Sequence, residues 1–307
     1  MTALKGMKTR WKVLIGIGLY LGIAILLLVI LGNEGKNSAF KPQNEFKLDP
    51  WISIKIGSVD LSINKAVLYL ALASGATIGV MTYIGRRMRR EPNRTQMAME
   101  VAYDLTRSNI TGTNLDERMA SKWFPFLATL FFFIWFSNML GYLPLPTSAE
   151  TIDIFGLSIP AFALYAATAN ISVPLVLTII VWFSYHVEGI RSRGPVAYFA
   201  SWLPAGLEEM NPIGKGAIFV IEVVSHFVRL ISLSVRLFAN ILAGHLLILF
   251  MAGGLAVLLG LAALGALTFP LAFVFFIFEV VLVATLQAFI FATLTAIYLG
   301  GATAESH

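Results

Sequence analysis

The residues 222–245, EVVSHFVRLISLSVRLFANILAGH, are apolar and free of proline, yet they carry Glu222, His226, Arg229, Arg236, Asn240 and His245. Ionisable groups inside a membrane segment are costly and usually face protein or a water-filled path. The plain alternative is an interfacial helix whose arginines reach out to the lipid headgroups. Spacing separates the two. Ser225, Arg229, Ser232, Arg236 and Asn240 step by four, three, four and four residues, so on a helix they make one stripe with Glu222 at its edge. Arg236 sits about ten residues or more from either end of the run, too deep to reach an interface easily. Arg229, nearer the start, is equally well placed as an anchor. His245 lies nine residues beyond Arg236, half a turn round the helix, so this helix shows different chemistry to two sides.

A second apolar segment, 270–298, contains a single carboxylate, Glu279, and a single amide, Gln287. If 213–300 folds as an antiparallel hairpin turning near Gly260 to Gly265, facing residues keep a constant sum of residue numbers. The pairs His245–Glu279 and Arg236–Gln287 have sums that differ by one, so one register serves both. A buried acid beside an imidazole can pass a proton. Arginine does not deprotonate and cannot relay one; Arg236 can only be a fixed positive charge. It calls for a carboxylate at mid-membrane that this chain lacks, and therefore for a partner that supplies it.

SLSVRLFANILAGH (232–245) and LQAFIFATLTAIYL (286–299) resemble subunit a of the F-type ATP synthase, with further likeness in NMLGYLPLP (138–146). The resemblance covers about residues 40–300. It implies the membrane stator of a rotary enzyme, with a ring of c subunits, b-type peripheral stalk subunits and the rest of the F1Fo assembly as partners. Two offset half-channels then carry protons to and from the rotor carboxylates. The outer one would use Asn240, His245, Glu279 and Gln287, the inner one Glu222 and Ser225, and Arg236 would separate them. Two positions depart from the pattern. Some relatives carry an acid where Gly141 stands. Relatives also place the ionisable partner seven residues before the glutamine, whereas Glu279 precedes Gln287 by eight. On an ideal helix that swings Glu279 by about 100°, so either the helix bulges or Glu279 meets His245 from another side.

The elements that would position these residues follow from composition. The 307 residues are 58% hydrophobic and 13% charged, and the mean hydropathy is +0.80. The chain therefore reads as an all-α polytopic membrane protein with about six membrane helices, the last two a long, strongly tilted antiparallel hairpin. A basic start followed by the apolar run 13–31 reads as a retained anchor rather than a cleaved signal. Residues 32–62 read as an outer-side loop, and 63–300 as the main membrane domain. Residues 301–307 form an inner-side tail. Spans are expected at 66–84, 123–143 and 161–185, the last interrupted by Asn170 and Pro174, with an amphipathic inner-surface helix over 96–109. The cluster Arg86, Arg87, Arg89, Arg90 and Arg94 fits the positive-inside rule better than a nucleic-acid site. With the basic N-terminus it puts both termini on the cytoplasmic side of a bacterial plasma membrane. His186 reads as a surface residue at the inner end of its span. From Gly214 to Gly253 there is no proline, and a continuous helix of that length would be about 60 Å, twice the hydrocarbon thickness.

Other classes are weakly supported. There is no cysteine, no HExxH and no Gly-rich nucleotide loop, so neither a cofactor nor a metal is expected. Glu222, His226 and His245 share no helix face. A secondary ion transporter would show inverted repeats and broken helices in both halves, and neither is visible. A sodium-coupled form of the same subunit stays open, because the ion-carrying carboxylate belongs to the partner.

Overall fold

The computed structural model describes residues 9–31, 45–57, 59–87, 92–154, 157–203, 211–254, 257 and 262–303. The chain order is α1 (Thr9–Leu31), a two-residue β1–β2 pair (Lys55–Ile56 and Val59–Asp60), α2 (Lys65–Arg87) and α3 (Arg94–Asp104). A π-helical continuation, Leu105–Gly112, leads to α4 (Glu117–Gly141). An antiparallel hairpin follows, β3 (Leu145–Ile154) and β4 (Leu157–Ala163), then a 3-10 turn (Ala167–Ala169), α5 (Ser172–Arg193) and the short α6 (Pro195–Ala200). The long α7 (Pro212–Leu249) runs into a π-helical end, Phe250–Gly254. The last rod is α8 (Ala262–Phe278), a π turn (Glu279–Val283) and α9 (Ala284–Thr303).

Local chemistry sets the boundaries. Asp116 accepts from the Met119 N–H and Glu117 occupies the first turn, so α4 begins six residues before the expected span and ends just ahead of Pro144. Asn211 caps α7 by accepting from the Ile213 N–H at 3.2 Å, and Pro212 fills the first helical position. Gly194, at φ +79°, turns the chain from α5 into α6, a conformation that costs a residue with a Cβ. The expected 96–109 helix is α3 plus its π-helical continuation, with Met97 and Val101 exposed. Five helices among the described residues are long and apolar enough to cross a membrane, and α1 is a further apolar helix of 23 residues packed along α8. The N-terminal lysines Lys5 and Lys8, Arg89 and Arg90, Gly260 and the tail from 304 lie outside the described residues.

Two expectations are corrected. The fourth span does not start at 161. Residues 145–163 form a ladder, Leu145 opposite Ala163 and Ile154 opposite Leu157, with a register shift between Pro146 and Thr151. The alternation in TIDI and LSIPAFA suits a strand, and the helix begins only at Ser172, after Asn170. His186 is not a surface residue: it is buried beneath Tyr198 and Trp202, because α6 folds back over the end of α5.

The core is built on α4. Leu127, Phe131, Phe132 and Ile134 are buried in one apolar cluster, and the main helical neighbours of α4 are α9 and α2. On α9 the facing stripe is Ala284, Ala288, Ala292 and Ala296, all buried. Small side chains four residues apart let two helices approach closely, and dispersion rather than the hydrophobic effect then holds them in lipid. Helix α7 stays unbroken for 38 residues, about 57 Å at 1.5 Å per residue, so a bilayer must accommodate it tilted. It buries Leu233, Leu237, Ile241, His245 and Ile248 on one side. Its other side, including Val224, Phe227, Val228, Ile231 and Val235, is exposed.

Candidate functional site

Arg236, Ser232 and Asn240 fall on the exposed side of α7. They do so because the inward stripe is filled by leucine and isoleucine at 233, 237 and 241. Arg236 makes no ion pair among the described residues; the pairs that form involve Lys122 with Glu188 and Glu222 with His226 and Arg229. The sequence paired Arg236 with Gln287, and the structure does not. Gln287 is buried on α9 and lines a groove of about 440 Å³ with Asn240, Gly244, Glu279, Leu282 and Leu286. Three of the four residues assigned to one path, Asn240, Glu279 and Gln287, thus meet in a single groove between α7 and the last rod.

The fourth, His245, lies behind it. The ring is 2% exposed, with Nδ1 2.9 Å from the Ile241 carbonyl oxygen and Nε2 3.0 Å from that of Gly141. A neutral imidazole has one N–H and can donate to one of these carbonyls; only the imidazolium can donate to both. No hydrogen bond or ion pair joins His245 to Glu279 among the described residues, which corrects the direct pairing read from the register. Tyr142 stands between them. Its hydroxyl donates to Glu279 Oε2 at 3.1 Å, and its ring lies 4.5 Å from the imidazole, centroid to centroid.

The extra residue between Glu279 and Gln287 is absorbed by the π turn Glu279–Val283, closed by the Ala284 N–H donating to the Glu279 carbonyl. A single π turn inserts one residue without breaking a helix, and such turns concentrate at functional sites. Here it brings the Glu279 carboxylate against the backbone of Gly244: a Cβ at 244 would sit 2.7 Å from Oε1 and nearer still to Oε2. Gly141 is equally constrained, since a Cβ there would collide with Ala166 and come within 3.1 Å of His245 Nε2. Position 141 has no room for a side chain.

Glu222 lies near the other end of α7. Its Oε1 is 3.3 Å from the Arg229 guanidinium and 3.8 Å from His226 Nε2. All three line a hollow of about 580 Å³ with Tyr185, Arg193, Trp202 and Tyr298. Tyr185 bonds His226 Nδ1 at 3.0 Å, and Tyr198 bonds His186 Nδ1 at 2.6 Å. Burial pushes the Tyr198 hydroxyl above its usual pKa, so it stays protonated. Ser225 is half-buried on the same helix and is not part of the lining. The sequence reading missed Tyr142, Tyr185, Tyr198, Trp202 and Tyr298. Only the i, i+4 spacing of Glu222 and His226 hinted at this hollow.

The class that this architecture defines is a multi-pass helical membrane protein carrying polar hollows along one long helix. A family model described as ATP synthase A chain matches residues 67–300. Among curated relatives, the chain is 33% identical to the ATP synthase subunit a of Rubrobacter xylanophilus over 248 residues, 81% of this chain and 87% of that one. It is 33% identical to that of Frankia alni, over 92% of this chain and 91% of the relative. With that of Hyphomonas neptunium the identity is 30%, over 88% and 98%. The chain belongs to the ATP synthase A chain family.

Proposed function

We propose that this chain is the ion-translocating stator subunit of a rotary F-type ATP synthase. It passes protons between the two sides of a bacterial plasma membrane and the carboxylates of a c-subunit ring. The observation that carries the reading is Arg236: an obligate cation, exposed at mid-helix, unpaired among the described residues and surrounded by apolar side chains. An arginine at that depth costs about 2.5–3.5 kcal/mol on insertion scales unless something compensates it. The compensation comes from outside the chain, as a carboxylate on a partner helix that packs on the exposed face of α7.

The two hollows act as half-channels that do not join. The groove of Asn240, Glu279 and Gln287, backed by Tyr142 and His245, delivers a proton to the rotor acid from the outer side. The hollow around Glu222, His226 and Arg229 receives it on the inner side. A deprotonated rotor acid is attracted to Arg236, and the guanidinium, having no proton to give, blocks direct passage between the two. A potential of 100 mV contributes about 2.3 kcal/mol per charge moved and biases the rotation. The peripheral stalk is assigned to the inner surface, where α3 exposes Met97 and Val101. Both termini are placed on the cytoplasmic side.

The test is ATP-driven acidification of inverted vesicles carrying Arg236→Ala in the assembled complex, with passive proton leak measured beside it. Pumping is expected to fall to background while leak rises. Normal pumping with normal leak would overturn the mechanism.

A further inference from the structure

Two side chains of α4 and that of the residue capping its end grip the last rod where it departs from α-helical form. Trp135, Asn138 and Tyr142 are spaced three and four residues apart and so share one face. The Trp135 indole N–H donates to Thr285 Oγ1 at 3.1 Å, the Asn138 amide donates to the Ala284 carbonyl at 3.2 Å, and the Tyr142 hydroxyl donates to Glu279 Oε2 at 3.1 Å. These contacts bracket the π turn Glu279–Val283 at both ends. Asn138 is itself held: it is fully buried, and the Thr168 hydroxyl donates to its Oδ1 at 2.7 Å, which fixes which end of the amide faces Ala284. Thr168 sits in the 3-10 turn between the β-hairpin and α5, so three separate stretches of chain converge on one amide.

A π turn is intrinsically weaker than the α-helix around it, because its hydrogen bonds are looser and its helix is free to re-register by one residue. Each residue of re-registration rotates what precedes it by about 100°. At Glu279 that rotation would carry the carboxylate out of the groove against Gly244. The bonds to Ala284 and Thr285, which follow the turn, and the bond to Glu279, which begins it, are made together only in the bulged form. A buried amide stripped of both partners would in turn cost the full desolvation of its polar groups.

We propose that Asn138 is a positioning residue for ion transfer: oriented by Thr168, it locks the π turn and thereby aims the Glu279 carboxylate into the groove. This rests on the reading that Glu279 lies in the outer ion path. The groups facing that carboxylate are Tyr142 at the C-terminal cap of α4 and, behind it, His245 from α7.

The experiment is a double-mutant cycle in the assembled complex, reading ATP-driven proton pumping of inverted vesicles normalised to subunit content, across pH. The variants are Asn138→Ala, Tyr142→Phe, their double mutant and Glu279→Gln. Loss of aim by about 1 Å costs up to about 100-fold, so Asn138→Ala is expected to lower normalised pumping roughly tenfold or more and to displace its pH profile. Adding Tyr142→Phe should then change little, because its partner has already moved. Normalised pumping within twofold of wild type, an unmoved pH profile, or effects of the two mutations that simply multiply would overturn the proposal. If Asn138→Ala fails to assemble, Thr168→Val is read in its place; it keeps the amide and removes only its orienting bond, and an unmoved profile there is equally fatal. Normal pumping in Glu279→Gln would instead overturn the reading of Glu279 itself.

Discussion

Gly244→Ala tests the outer groove with the smallest possible addition of atoms. The new methyl would lie 2.7 Å from Glu279 Oε1 and closer to Oε2 and Cδ. Ordinary contacts between a methyl and an oxygen are about 3.4 Å or longer, so the carboxylate must retreat by roughly 1 Å. It is the far end of a flexible side chain, and the retreat needs no backbone movement. The cost to folding should therefore stay at the low end of the ~1–3 kcal/mol typical of overpacked sites. The cost to transfer is larger, because a misplacement of about 1 Å can lower a rate by up to about 100-fold. The Tyr142–Glu279 bond, 3.1 Å in the native chain, would be stretched at the same time. The assay is the rate of fluorescence quenching by a pH-sensitive dye in inverted vesicles on addition of ATP, normalised to the amount of assembled complex. A fall of 10- to 100-fold in normalised rate, with subunit content near wild type and leak unchanged, is the expected result. Normal pumping in a fully assembled Gly244→Ala complex would refute the placement of Glu279 in the path.

Tyr142→Phe removes one buried hydroxyl and its bond to Glu279; at about 0.5–1.5 kcal/mol for a net hydrogen bond, pumping should drop roughly two- to tenfold, measured in the same vesicles. Lys122→Met strips a partner from Glu188, which lies 2.5 Å from the ammonium and has a side chain only 5% exposed. Because the lysine itself is half exposed, the loss should be near 1–3 kcal/mol rather than the 3–5 of a fully buried pair, read as a lower melting temperature of the complex. The double variant Lys122→Met with Glu188→Gln should recover most of that loss, since no buried charge is then left uncompensated.

The sequence by itself determined the class of the chain, the long hairpin and the one-sided placement of Arg236. Each rests on a quantity local to the chain: mean hydropathy, the spacing of apolar residues along α7, and the absence of proline from 214 to 253. The outward position of Arg236 follows from helical period alone once Leu233, Leu237 and Ile241 claim the inside. The meeting of Asn240, Glu279 and Gln287 in one groove is a different case, because the antiparallel register had paired Gln287 with Arg236 and Glu279 with His245.

Other features could be decided only in three dimensions. A register argument assumes regular helices, and it therefore paired His245 with Glu279 directly. The π turn at Glu279–Val283 breaks that assumption, and its stability depends on Trp135 and Asn138, more than 140 residues away in sequence. Tyr142 carried no sequence signal, because a tyrosine at the end of an apolar helix is usually just a packing residue. The burial of His186 depended on α6 folding back across α5, which a positive-φ glycine permits but no periodicity announces. The β3–β4 hairpin was hidden for a related reason: in an apolar chain a short run such as LSIPAFA suits a strand or the start of a helix equally well. Local pattern thus fixed which faces are apolar and where charge is placed along the helices. Which polar atoms touch is a property of long-range packing, where one inserted residue and one backbone carbonyl decide the partner of a buried acid.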